Sequence, residues 1–194
     1  MINGVTAEDR TTFQKDGVAV LRNVLDADWL ERLASAIETN MKFPGPHGKN
    51  HAETGGAYFG DYVNWKRIPD FVDVAKPGPL GGVAADLMEA NQVQFFHEHV
   101  LVKEPGNTSA TPWHQDMPYY CLDGDKTVSL WVPVDPVGKD ESLNLYRGSH
   151  LSKQTYVPRR FKTLEPLAGD ITDYAPFPEI DPQSENVISF AVEP

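Results

Sequence analysis

The residues best able to do chemistry stand together in Trp113-His114-Gln115-Asp116. On an extended strand, side chains two positions apart share a face, so His114 and Asp116 would stand side by side, about 6.6 Å apart at Cα from the strand rise. On a helix the same pair would point nearly opposite ways. An imidazole and a carboxylate on one face suit Fe(II). A second histidine would complete a facial triad and leave three positions for a cosubstrate and O2. His-x-Asp is a short pattern, however. Taken alone, a hydrogen-bonded His–Asp pair on a loop is the simpler reading.

The rest of the composition narrows the setting. The chain has 194 residues, enough for one compact domain with a sizeable core. Its formal net charge of −11 argues against nonspecific binding to nucleic acid or anionic membranes. No apolar run reaches the length of a membrane span, and the N-terminus shows neither a basic nor an apolar signal region. The single cysteine, Cys121, excludes an internal disulfide and a thiolate metal cluster. A cytoplasmic, soluble, globular protein is the expectation.

The elements that must position His114 and Asp116 are legible in outline. Thr6 with Asp9 makes a capping box for a first helix that Gly17 ends. Residues 18–21 read as a short strand. Asp26 caps a second helix, whose Trp29, Leu30, Leu33, Ile37 and Met41 recur at helical spacing as a core face. Residues 43–60, rich in Gly, Pro and His, read as a long loop. Pro69 and Pro79 each suit the first turn of a short helix, the second running to about residue 90. Strands are predicted over 92–103, 127–134, 143–146 and 187–192. Helices followed by closely spaced strands give an α+β layout, helical over 1–90 and β over 91–194.

Several segments, in order, resemble the phytanoyl-CoA dioxygenase family of Fe(II)/2-oxoglutarate-dependent oxygenases. FQKDGVAVLRNVL at 13–25 is similar to the family's opening segment. FFHEHVLVKEPG at 95–106 resembles its strand before the metal motif, and TPWHQDMPYY at 111–120 the motif itself. VSLWVPVD at 128–135 and LYRGSH at 145–150 resemble its next two landmarks. The resemblance implies a double-stranded β-helix (a cupin-like jelly roll) with N-terminal flanking helices. It also implies hydroxylation coupled to oxidative decarboxylation of 2-oxoglutarate.

Roles for particular residues follow from that resemblance. His114 and Asp116 match two iron ligands; Lys103 matches a lysine that pairs with the C1 carboxylate of 2-oxoglutarate; Trp131 matches a tryptophan lining the cosubstrate site. Lys103 also reads as a snorkelling lysine, and Trp131 as core. His97 and His99 share a strand face with Lys103 and are candidates for lining the site, not for ligation. Tyr119 is a candidate for the substrate wall, and Tyr62, Asn64, Trp65 and Arg67 lie where relatives build a substrate lid. Arg159, Arg160 and Lys162 read as a solvated basic surface, with contact to an anionic substrate as the alternative.

The family's third ligand, a late histidine, and the arginine that holds the distal carboxylate of 2-oxoglutarate have no counterpart here. The last histidine, His150, falls at a turn and not at a ligand position. An incomplete C-terminal part of the barrel is therefore expected. Two rival readings stand beside the oxygenase: a non-catalytic barrel that binds without turnover, and a cupin-like isomerase or hydrolase using a divalent metal without 2-oxoglutarate. A carboxylate at Asp116 predicts hydroxylation over halogenation, because related halogenases leave that position open for chloride.

Overall fold

A computed structural model describes residues 4–51, 55–167 and 172–194. Both N-terminal helices form where the capping residues predict. Helix α1 (Ala7–Asp16) carries the full Thr6–Asp9 capping box and ends at Gly17, whose φ of 79° needs a residue without Cβ. Helix α2 (Ala27–Lys42) starts at Asp26, whose side chain accepts the Trp29 N–H. Its apolar stripe buries Leu33 and Ala36 against Ile68, Phe71, Val74 and Val100, with Trp29 and Ile37 at the margin. Short helices α3 (Asp70–Asp73) and α4 (Leu80–Leu87) follow Pro69 and Pro79. Arg32 on α2 bonds both Asp70 and Asp73, tying α3 to it. Helix α4 stops three residues short of the expected end; Glu89 just beyond takes a φ of 47°.

The expected loop at 43–60 instead contains β1 (Lys49–Asn50) and the start of β2 (Tyr58–Tyr62). Strand β2 pairs antiparallel with β3 (His99–Lys103), from Tyr58 opposite Lys103 to Tyr62 opposite His99. Strand β3 is shorter than the predicted 92–103 because its partner ends. Val63 turns away at φ 62°, an uncommon conformation for a β-branched residue, and residues 92–98 then have no ladder to join. Glu98 secures this turn by accepting the backbone N–H groups of Asn64 and Trp65.

The remaining strand expectations are realised only as fragments. Residues 18–21 and 127–134 form no strand. In the latter, Pro133 lacks a ladder donor, although Val132 and Val134 still pack on the core. Strand β4 (Leu145–Tyr146) pairs with β5 (Val187–Ile188), and Val192 forms an isolated bridge with Val137. The described chain is thus a mixed α and β structure with small antiparallel sheets, neither of them closed.

The β1–β2–β3 sheet has two unlike faces. Phe59, Val100 and Val102 pack toward α2 and α3. Alternation sends Tyr58, Gly60, Tyr62, His99, Leu101 and Lys103 to the other face, which is largely exposed.

Candidate metal centre

His114 and Asp116 do come together, but not by the strand geometry expected of them. Residues 111–116 form no strand, held between Pro112 and Pro118, and Asp116 (φ −71°, ψ −44°) leads into a 3-10 turn over Met117–Tyr119. This loop still brings His114 Nε2 to 3.2 Å from Asp116 Oδ1.

The other atoms of the pair are held by neighbours. His114 Nδ1 lies 2.8 Å from the Pro112 carbonyl, which fixes it as the N–H nitrogen and turns Nε2 toward the carboxylate. The Ser129 hydroxyl donates to Asp116 Oδ2 at 3.1 Å, and the Tyr120 hydroxyl helps to lower this carboxyl. The bond from His114 holds Asp116 below the ordinary carboxylate range against the opposing effect of burial. Burial depresses the His114 imidazole, but its bonds to Asp116 and the Pro112 carbonyl outweigh this and leave it above the usual histidine value.

This donor set fits part of a ferrous site. With Nδ1 bonded to a carbonyl, the neutral imidazole presents a lone pair at Nε2, facing the lone pairs of Oδ1. Two such acceptors at 3.2 Å need a proton or a cation between them. Adjacent positions on an octahedral ion with bonds near 2.1 Å are about 3 Å apart, so one ion can take both atoms. Among the described residues, no group of three His, Cys, Asp or Glu side chains assembles around an ion, so the pair supplies two ligands.

The other site residues predicted from sequence fall into three groups. Lys103 and the two histidines stand on the open sheet face or beside it. Lys103 Nζ donates to the Ser109 carbonyl at 2.7 Å and lies 4.9 Å from the Tyr58 ring centroid. One of its three donors is thus used. His97 and His99 both meet the Tyr62 ring edge-on, at 6.2 and 5.5 Å. Burial is the main cause that lowers both imidazoles, and for His99 the nearby His97 and His51 add to it.

Trp131 is 45 % exposed and does not belong to the core. Tyr119 stands beside the pair, its ring 5.9 Å from that of His114. Its hydroxyl is committed: it donates to the Arg159 carbonyl and accepts the Arg159 N–H, both at 2.8 Å. Only the ring of Tyr119 can therefore meet a substrate.

Of the expected lid residues, Tyr62 alone faces the site. Asn64 is buried, Trp65 packs against the core, and Arg67 bonds the Asn64 side chain. His150 bonds the Gln14 carbonyl at 2.9 Å and lies against Gly17, where it locks a turn onto α1. The basic surface expected at 159–162 is partly wrong, because Arg159 bonds the Trp113 carbonyl and stacks on Phe177.

Sequence reasoning missed Ser129, Tyr120 and Phe161, whose ring lies 4.7 Å from that of His114. The sequence separations of Ser129 and Phe161 hide both contacts; Tyr120 follows Tyr119 directly, and its effect on Asp116 has no signal in the sequence.

The family profile described as phytanoyl-CoA dioxygenase matches residues 13–187. The chain belongs to the phytanoyl-CoA dioxygenase family. That match spans both the FQKDG opening and the segment carrying His114 and Asp116. No curated protein and no solved structure gives a match to the chain. The family is one of dioxygenase enzymes. Among the described residues no helix is long and apolar enough to cross a membrane.

The carboxylate's supports can be tested separately from its ligating atom. Ser129→Ala frees the bond on Oδ2, and Tyr120→Phe removes a hydroxyl that favours the ionised carboxylate; neither alters the ligand atoms themselves. Each is expected to weaken Fe(II) or Co(II) binding about ten-fold, the usual effect of removing a group that orients a metal ligand. Anaerobic metal titration followed by visible absorption reads this directly.

Proposed function

We propose that the chain is an Fe(II)/2-oxoglutarate-dependent dioxygenase that hydroxylates a small organic substrate and releases succinate and CO2. The observation that carries this reading is the facing of His114 Nε2 and Asp116 Oδ1 at 3.2 Å, with the remaining atoms of both side chains already bonded elsewhere. In this reading His114 and Asp116 would hold the metal through Nε2 and Oδ1. Fe(II) with 2-oxoglutarate supplies the O2 activation that no side chain here can provide.

The protein's own groups bind and orient. Lys103 offers its two remaining N–H donors to a 2-oxoglutarate carboxylate, and Trp131 lines the cosubstrate. The ring of Tyr119, with His97 and His99, forms the substrate side. Ser129 and Tyr120 keep Asp116 ionised and aimed. The two small sheets are read as parts of a double-stranded β-helix within a single domain over 1–194. The family match and the order of motifs support that reading. The cytoplasm is the proposed location.

The test is anaerobic addition of 2-oxoglutarate to the Fe(II)-loaded protein. A new charge-transfer band in the visible, weakened by Lys103→Ala, is expected. Iron bound through His114 with no change on adding 2-oxoglutarate would instead favour a metal-dependent isomerase or hydrolase, and would sink the proposal.

A further inference from the structure

We propose that the open face of the β1–β2–β3 sheet binds the substrate, and that this substrate is a small planar anion, an aromatic or conjugated carboxylate. The inference rests on the oxygenase reading only for calling this ligand a substrate; the binding itself does not depend on turnover.

The first observation is the distribution of charge. The chain has 28 acidic and 17 basic residues, so a randomly chosen surface should carry carboxylates. Strict alternation along β2 and β3 keeps them off this face. Asp61 is turned to the opposite side and fully buried, held by the Asn40 side chain and the Gly45 N–H at 2.7 Å each. Glu98 is likewise spent on the Asn64 and Trp65 N–H groups. Four of the chain's six histidines, by contrast, gather on or beside the face: His47, His51, His97 and His99. Lys49, opposite Gly60 in the β1–β2 register, adds a cation to the same side. Among the described residues, the one carboxylate that acts on both His97 and His99 from the site itself is Asp116, already paired with His114 at 3.2 Å; Asp61 acts on His99 from behind the sheet.

The second observation is shape. His47 stacks on Tyr62 with centroids 4.2 Å apart and planes 10° from parallel. Tyr62 then meets His97 edge-on, and His97 meets Tyr120 at 5.7 Å, next to Asp116. Flat rings therefore run from the exposed rim to the metal pair. The His51 imidazole packs directly over Gly60, where a Cβ would come within 2.8 Å of its Nε2 and 3.4 Å of Leu101. Ring walls select flat ligands through offset and edge contacts. Imidazole N–H groups and an ammonium select an oxyanion. Ligands meeting only one requirement forfeit the other set of contacts.

The experiment uses the full metal-free chain and three probes: benzoate (ring and anion), benzyl alcohol (ring alone) and hexanoate (anion alone). Binding is followed by the histidine ring C–H signals in NMR. Benzoate is expected to bind at least about ten-fold more tightly than either of the others, shifting the His97 and His99 signals. Tyr62→Leu and His99→Ala should each weaken benzoate several-fold. Benzoate binding no tighter than benzyl alcohol overturns the anionic part; no tighter than hexanoate overturns the planar part. Unchanged benzoate affinity in both variants overturns the placement on this face. Because no metal is present, these outcomes are distinct from failure of the 2-oxoglutarate test above.

Discussion

His114→Ala is expected to weaken Fe(II) binding by at least about 100-fold, beyond the range seen when only an orienting partner is lost. Succinate formation from 2-oxoglutarate should fall to the level of free iron. The reason is geometric. Nε2 is one of two ligand atoms that the described residues bring together, and the carboxylate alone leaves the ion with a single protein bond. The fold should survive, because His114 is partly exposed and bonds only a carbonyl within its own loop besides Asp116. Unchanged far-UV circular dichroism, combined with lost metal binding in an anaerobic titration, is the expected pair of results. Retained iron affinity would move the metal elsewhere.

Asp61→Ala acts on the fold instead. Asp61 is fully buried and accepts hydrogen bonds from the Asn40 side chain, the Gly45 N–H and the Tyr62 N–H. Removing it strands these donors without water. Bonds to a charged group are worth about 1.5–3 kcal/mol each and are not additive, so a loss of about 3 kcal/mol is expected in urea unfolding. The pH dependence has a definite sign. Burial pushes the Asp61 carboxyl up, but its hydrogen bonds together outweigh this and leave it below its ordinary value of 3.8. Its contribution is therefore fully present above that value and is lost as pH falls through the depressed folded value. Wild-type unfolding should show this acid-side decline, and Asp61→Ala should show less of it.

How much was legible depended on how local the cause was. The caps of α1 and α2 follow from Thr6, Asp9, Gly17 and Asp26, each acting within four residues, and all four behave as read. The pairing of His114 with Asp116 was also legible, for a reason that proved different. Two prolines deny the segment a ladder, and a turn beginning at Met117 brings the side chains together. Strand β2 was hidden because a Gly-, Pro- and His-rich context masks the alternation of Tyr58, Gly60 and Tyr62, which only pairing with β3 makes regular. The run at 127–134 failed in the opposite direction: β-branched composition is a statement about side-chain packing, and ladder partners are set elsewhere in the chain. Asn40 lies on α2 but is not among the apolar positions read from its spacing. It is buried because Asp61, 21 residues later, needs its amide.

The strict division of labour between the two sides of β2 and β3 makes the parity of any insertion matter. One residue added within 58–62 would exchange the sides for every residue beyond it, turning a buried carboxylate toward the rings and an aromatic toward the polar anchor. Two added residues would restore the original facing. Attempts to lengthen or graft this hairpin should therefore proceed in even steps, and odd-length variants should be lost at the level of soluble expression before any assay of catalysis is reached.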